Sequence, residues 1–243
     1  MPVVAHVQFS GSNYSESIAS DPFVIATSDL LSRIQTRAPR RIADLQVGLR
    51  SMQALLARRF PNAKIMSLDA SGADRTNGNE FDLIFSSGGL DLLPTLRALL
   101  PGLVARLAAG GSLAVQIPDN LYEPNRVLLR MVAADGPWAR KLLPVAKTRP
   151  FNETMEGLYG VLCPVCASVE IWRTTYLCAL NGVGAVIDIM KATSLPPFLR
   201  PLDEASRCRF LDRYATELAK AYPTQPDGRI LLQFPRIFVL ARR

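Results

Sequence analysis

The chain has 243 residues, 49% hydrophobic and 20% charged, which is enough to bury one sizeable core and too mixed for a disordered or collagen-like protein. Lys and Arg number 28 against 21 Asp and Glu, a net charge of +7, but they are scattered, so nothing points to a nucleic-acid-binding stripe. No apolar run reaches the roughly 18–20 residues of a membrane span, and the polar Met1–Tyr14 lacks the build of a signal peptide. The expectation is a soluble cytoplasmic protein without a membrane or nucleic-acid partner.

Taken in order, residues 23–37 carry Val24, Ile25, Leu30, Leu31 and Ile34 at helical spacing. A short buried strand over 41–45 contains Asp44 near its end, and 51–60 is a helix with Met52, Leu55, Leu56 and Phe60 on one face. Residues 64–68 predict a second strand, closed by Asp69, and 81–85 a third, followed by Ser86-Ser87-Gly88-Gly89. Leu96, Leu99, Leu100, Leu103, Val104 and Leu107 mark an amphipathic helix that Gly110-Gly111 is expected to end. Residues 112–116 form the next strand. Short apolar strands alternating with helices indicate a parallel, doubly wound sheet.

Beyond residue 118 the pattern changes. Helices are expected over 123–134, 183–193 and 203–221, and long strand-type runs over 169–177 and 230–241. Pro235 inside the last run predicts a bulge or an edge position. The two long strands suit an antiparallel pair finishing the sheet, and the helices between them a cap over the strand ends, where open α/β sheets bind ligands.

The cysteines are Cys163, Cys166, Cys178 and Cys208. Cys163-Pro-Val-Cys166 is a CxxC, but no second CxxC and only one histidine, His6, are available to complete a zinc site. The motif also leads into a strand rather than opening a helix, so plain buried or incidental thiols are expected.

Three segments, SLAVQIPDN at 112–120, EIWRTTY at 170–176 and ILLQFPRIFVLAR at 230–242, resemble the trans-aconitate 2-methyltransferase family. Asp135-Gly-Pro-Trp138, Pro197-Phe198 and Asp227-Gly228 add to the match in the same order. The resemblance covers nearly the whole chain. It implies a single class I methyltransferase domain over 1–243, with a Rossmann-like α/β sheet, a cofactor half over 1–110 and an acceptor half with a helical cap over 111–243. The implied reaction is transfer of a methyl group from S-adenosylmethionine to one carboxylate of a small polycarboxylic acid. A carboxylate with a pKa of about 4 is ionised at neutral pH and needs no general base, so a chain with one histidine can run this reaction. Acceptor-binding candidates within the matched segments are Gln116, Asn120, Trp172, Arg173, Tyr176 and Arg236, because a polyanion asks for arginine forks and a polar lining. Trp172, Thr174 and Tyr176 alternate, so they also read as one face of a strand, with Arg173 facing the other way.

The cofactor half departs from the family pattern D-x-G-x-G-x-G. In Asp44–Arg50 only the middle glycine, Gly48, is present, and Gln46 and Arg50 stand at the outer positions. Asp44, Gly48 and Asp69 are the cofactor-binding candidates. Between Leu68 and Phe81 lie twelve residues without apolar periodicity, where the family has a helix, a strand and an acidic adenine-side residue. The sheet is therefore expected to be one strand and one helix short. Two further readings stand beside the methyltransferase: an isomerase or cyclase on this fold working without S-adenosylmethionine, and a non-catalytic binder of an anion or a protein partner.

Overall fold

The structure is a computed structural model that describes residues 22–36, 38–45, 53–68, 80–90, 96–147 and 153–243, and the backbone of 4–7. Its strands are β1 (Val4–Val7), β2 (Arg41–Leu45), β3 (Lys64–Leu68), β4 (Phe81–Ser86), β5 (Leu107–Pro118), β6 (Ser168–Leu180) and β7 (Ile230–Arg242). The helices are α1 (Pro22–Arg33), α2 (Gln53–Arg59), α3 (Leu96–Ala105), α4 (Pro124–Ala134), α5 (Ala139–Lys147), α6 (Met155–Leu162), α7 (Gly182–Thr193), α8 (Pro196–Leu199) and α9 (Glu204–Ala221). All seven strands form one sheet in the order β1-β6-β7-β5-β4-β2-β3. Only β7 runs antiparallel to its neighbours.

Strand alternation divides the core into two layers. On one face Ile42, Leu83, Phe85, Ala114, Phe238 and Leu240 pack against α1, α2 and the cap helices. On the other, Ala43, Ile84, Leu113, Val115, Ile237 and Val239 pack against α3 and α6. β6 and β7 stay paired from Ser168 opposite Arg242 to Leu180 opposite Ile230, whereas β5 ends at Pro118, opposite Arg236. Thr175–Leu180 and Ile230–Pro235 therefore project past the end of β5. Their α1-side residues Tyr176, Cys178, Leu232 and Phe234 are covered by Val186, Met190, Tyr214 and Leu218 of α7 and α9. The cap is a continuation of the core. Tyr214 donates a 2.7 Å hydrogen bond to the Asn125 carbonyl, and the Asn125 amide donates to the Tyr222 hydroxyl at 3.1 Å, fixing the start of α4 to α9.

Two expectations change. The α3 helix stops at Ala105, and Leu107 already begins β5; Gly110 and Gly111 belong to an irregularity where Leu107 opposes Phe81 but Ser112 opposes Leu83. A Cβ on Gly111 would sit 2.9 Å from the Phe81 carbonyl, so the glycine serves close strand approach rather than helix termination. Pro235 takes the edge position expected of it: it lies opposite Thr175, one residue past the end of β5. Finally, β1, α5, α6 and α8 are elements that the sequence reading did not place. β3 is an edge strand and no described residue pairs with its outer side; residues 69–79 of the connection after it lie outside the described residues. β1 at the opposite edge keeps the strand count at seven.

Candidate functional site

The chain direction across the parallel part of the sheet reverses between β3 and β4. From β2 the chain moves outward to β3, then returns to β4 on the other side of β2, making the carboxyl ends of β2 and β4 the topological switch point where such sheets bind ligands. Asp44 lies there, 4% exposed and in register with Phe85. Beside it β4 ends in Ser86, fully buried, whose hydroxyl reaches the Gly88 carbonyl at 3.5 Å. Gly88 and Gly89 have φ of 142° and 87°, which side-chain-bearing residues rarely adopt, and the space beside Gly88 is open. A buried carboxylate and an open backbone cradle thus meet at the switch point. The other cofactor candidates, Gly48 and Asp69, and the departures Gln46 and Arg50, lie outside the described residues.

The acceptor candidates sort by face. Gln116, Trp172, Tyr176 and Arg236 share the α1 face. Gln116 is fully buried and donates from Nε2 to the Thr27 hydroxyl at 3.0 Å, while its Oε1 meets no donor among the described residues. Trp172 stacks on Phe238 with centroids 5.0 Å apart, and Tyr176 meets the same ring edge-on at 6.5 Å. The Tyr176 hydroxyl donates to Asp29 at 2.8 Å. Burial, then the Asp29 carboxylate, push the phenol well above its ordinary range, so it is a permanent donor. Arg236 is 4% exposed and level with Pro118, the last residue of β5; its guanidinium lies 4.3 Å from the Phe234 ring and 5.0 Å from that of Phe23. A buried cation thus stands at the carboxyl end of the sheet, next to the first turn of α1.

Arg173 takes the other face. Its Nε is 2.6 Å from Asp119, and it is the nearby cation that acts on Glu123 at the start of α4. Burial raises the Glu123 carboxyl, Arg173 lowers it and Asp119 raises it again. One guanidinium thus serves two carboxylates. Asn120 follows Asp119 in the same loop and accepts the Glu123 amide through its carbonyl at 3.1 Å. The structure therefore brings Gln116, Trp172, Tyr176 and Arg236 together and sets Arg173 apart with Asp119 and Glu123. Thr27, Asp29 and Arg33 of α1 are partners that sequence reasoning missed, since only the tertiary packing of α1 brings them to β5 and β6. Asp119 stood inside a matched segment and was readable.

Among the described residues no cluster of His, Cys, Asp and Glu could hold a metal ion. All four cysteines are free thiols, with Cys178 buried and Cys163 and Cys208 exposed. No helix of the described residues is long and apolar enough to cross a membrane.

The order of the sheet, with its switch point between β2 and β4, defines a methyltransferase fold of class I. A crystal structure from Bacillus halodurans described as a methyltransferase shares this architecture, with a TM-score of 0.51 at 12% identity over 89% of this chain and 97% of that one. In sequence the chain is 40% identical to the trans-aconitate 2-methyltransferase of Methylobacterium radiotolerans, over 89% of this chain and 92% of that protein. The protein of the same name from Methylobacterium nodulans is 41% identical over the same shares. No protein-family model matches the chain. The chain belongs to the trans-aconitate 2-methyltransferase family.

Proposed function

We propose that the protein is an S-adenosylmethionine-dependent carboxyl O-methyltransferase whose acceptor is a small polycarboxylic acid of the trans-aconitate type. The observation that carries this reading is Arg236, a buried guanidinium at the carboxyl end of β5 in a chain whose relatives are named for a tricarboxylate. A buried arginine fork binds a carboxylate through two parallel N–H bonds and fixes its orientation. Gln116, Trp172 and Tyr176 line the same face and Asn120 its rim. Arg173, shared by Asp119 and Glu123, positions the loop after β5 instead of holding the acid.

The switch point fits the cofactor. Asp44 supplies a buried carboxylate to accept from its ammonium or hydroxyl groups, the loop at Gly88 leaves space, and Gly48 and Asp69 are the further ligands that the resemblance implies. When bound, S-adenosylmethionine supplies a methyl group on a positive sulfur, ready for transfer to an oxygen nucleophile. The protein's own share is alignment and exclusion of water: the acceptor carboxylate is already ionised, so no side chain has to take a proton. Gln46 and Arg50 put long side chains, one of them cationic, where the family's outer glycines stand, and weaken the cofactor's hold without abolishing it. This chemistry suits a cytoplasmic location and calls for no nucleic-acid, membrane or protein partner.

Incubation of the full chain with S-adenosylmethionine and trans-aconitate, followed by mass spectrometry, tests the reading. The expected products are the monomethyl ester and an equal amount of S-adenosylhomocysteine. Absence of both with trans-aconitate, cis-aconitate and citrate would sink it.

A further inference from the structure

A cleft of about 480 Å³ opens between the carboxyl-terminal turns of α1 and α2, lined by Ser32, Arg33, Ile34, Gln35 and Arg59. Its two guanidinium groups are held in place by aromatic rings: that of Arg33 lies 4.4 Å over Trp172 and that of Arg59 4.8 Å over Phe60. A guanidinium stacked by its face keeps its in-plane N–H edge for an anion and loses little side-chain freedom on binding one. Arg59 meets no carboxylate among the described residues. Arg33 has only Asp29 at 3.7 Å, and that carboxylate also accepts from Tyr176.

The local charge does not cancel. Two helix carboxyl ends contribute about half a negative charge each. Among the described residues, these and Asp29 offset two of the three cations, Arg33 and Arg59 of the lining and Arg58 beside it, which leaves about one positive charge over at this end of the two helices. Ser32 and Gln35 add a hydroxyl and an amide, the usual companions of arginine in oxyanion recognition. The cleft touches the acceptor face at Trp172, over whose ring Arg33 lies, but stands about a helix length from Arg236, since Arg33 ends the helix whose first turn meets Arg236, and a twelve-residue helix is about 18 Å long.

We propose that this cleft is a second anion site that takes a phosphate group, free or carried on a small metabolite. It does not depend on the methyltransferase reading. The test is calorimetric titration of the full chain with inorganic phosphate and with adenosine monophosphate at low ionic strength, for the wild type, Arg59→Gln and Arg59→Lys. Saturable binding of at least one ligand is expected, weakened about tenfold by Arg59→Gln and less by Arg59→Lys, which keeps the charge but loses the fork. Affinity for S-adenosylmethionine is expected to be the same in all three proteins. Tighter binding of adenosine monophosphate than of phosphate would place the phosphate on a carrier, and the reverse would make the free ion the ligand; either supports the site. No saturable binding, equal affinity in wild type and Arg59→Gln, or displacement of phosphate by a short single-stranded oligonucleotide at lower concentration would overturn it.

Discussion

β5 is paired with β7 from Ser112 to Pro118, and β7 with β6 along its whole length, while β2 shares five register pairs with β3 and β3 has no second neighbour among the described residues. In the first region β5 and β7 carry side chains buried on both faces, and the region adds stacked aromatics and the α1 hydrogen bonds. In β3, Ile65, Met66 and Leu68 are only half-buried. The acceptor side is therefore held by many mutually supporting contacts, and the cofactor side depends on a short edge strand.

The comparison breaks most visibly in the core. Phe238→Ala removes the ring that both Trp172 and Tyr176 contact and is expected to cost about 3–5 kcal/mol in urea unfolding. Ile65→Ala on β3 is expected to cost about 1 kcal/mol, since its side chain is already half in water. Equal losses would erase the asymmetry. Next come the two arginines that stand one register step apart on opposite faces. Arg236→Ala is expected to lower acceptor kcat/KM about 100-fold, roughly 3 kcal/mol, with S-adenosylmethionine affinity retained. Arg173→Ala, measured the same way, is expected to change it less than about threefold, because Asp119 already pairs with that cation. Reversed magnitudes would move the acid to the other face.

Smaller effects refine the picture. Tyr176→Phe deletes the bond to Asp29 and is expected to cost about 1–2 kcal/mol of stability, visible as a lower melting temperature. Glu123→Gln should do the opposite at neutral pH. The folded state raises this carboxyl above its ordinary 4.5, so it favours the protonated form, and the stability it contributes is present at low pH and lost as pH rises through the raised value. The variant is therefore expected to match the wild type near pH 4 and to exceed it at pH 7 by on the order of half a kcal/mol, a figure that allows for solvent screening of this partly exposed group. Melting curves across that range check the sign.

Legibility in the sequence followed the physics of each element. β2 and β4 were readable because buried parallel strands are short apolar runs, and β3 because it is a short apolar run of the same kind though only half-buried. α9 was readable because Phe210, Tyr214 and Leu218 repeat at helical spacing behind the Asp203 cap. α5 and α6 were not: Pro144 sits inside one, and the other is short with two glycines, so neither carries a clean apolar period. β1 finds its partner only in β6, more than 160 residues away, and no local pattern announces such a pairing. For the candidate site, residue types in matched segments named Gln116, Tyr176 and Arg236, which fall on one face of the sheet. The period-two rule already separated Arg173 from Trp172 and Tyr176, but which face carries a buried cation needed the register of β6, β7 and β5. The contribution of α1 through Thr27, Asp29 and Arg33 is a tertiary fact with no signature in the chain.

The central claim is that the crevice at the carboxyl ends of β2 and β4 still holds S-adenosylmethionine. Isothermal titration of the full chain with the cofactor, alongside Asp44→Asn, tests it most directly. The account predicts saturable binding with a dissociation constant below about 1 mM in the wild type, weakened at least about tenfold in the variant, whose melting temperature should stay close to wild type. Absence of heat and of any thermal shift at millimolar cofactor, or binding that Asp44→Asn leaves untouched, would contradict it.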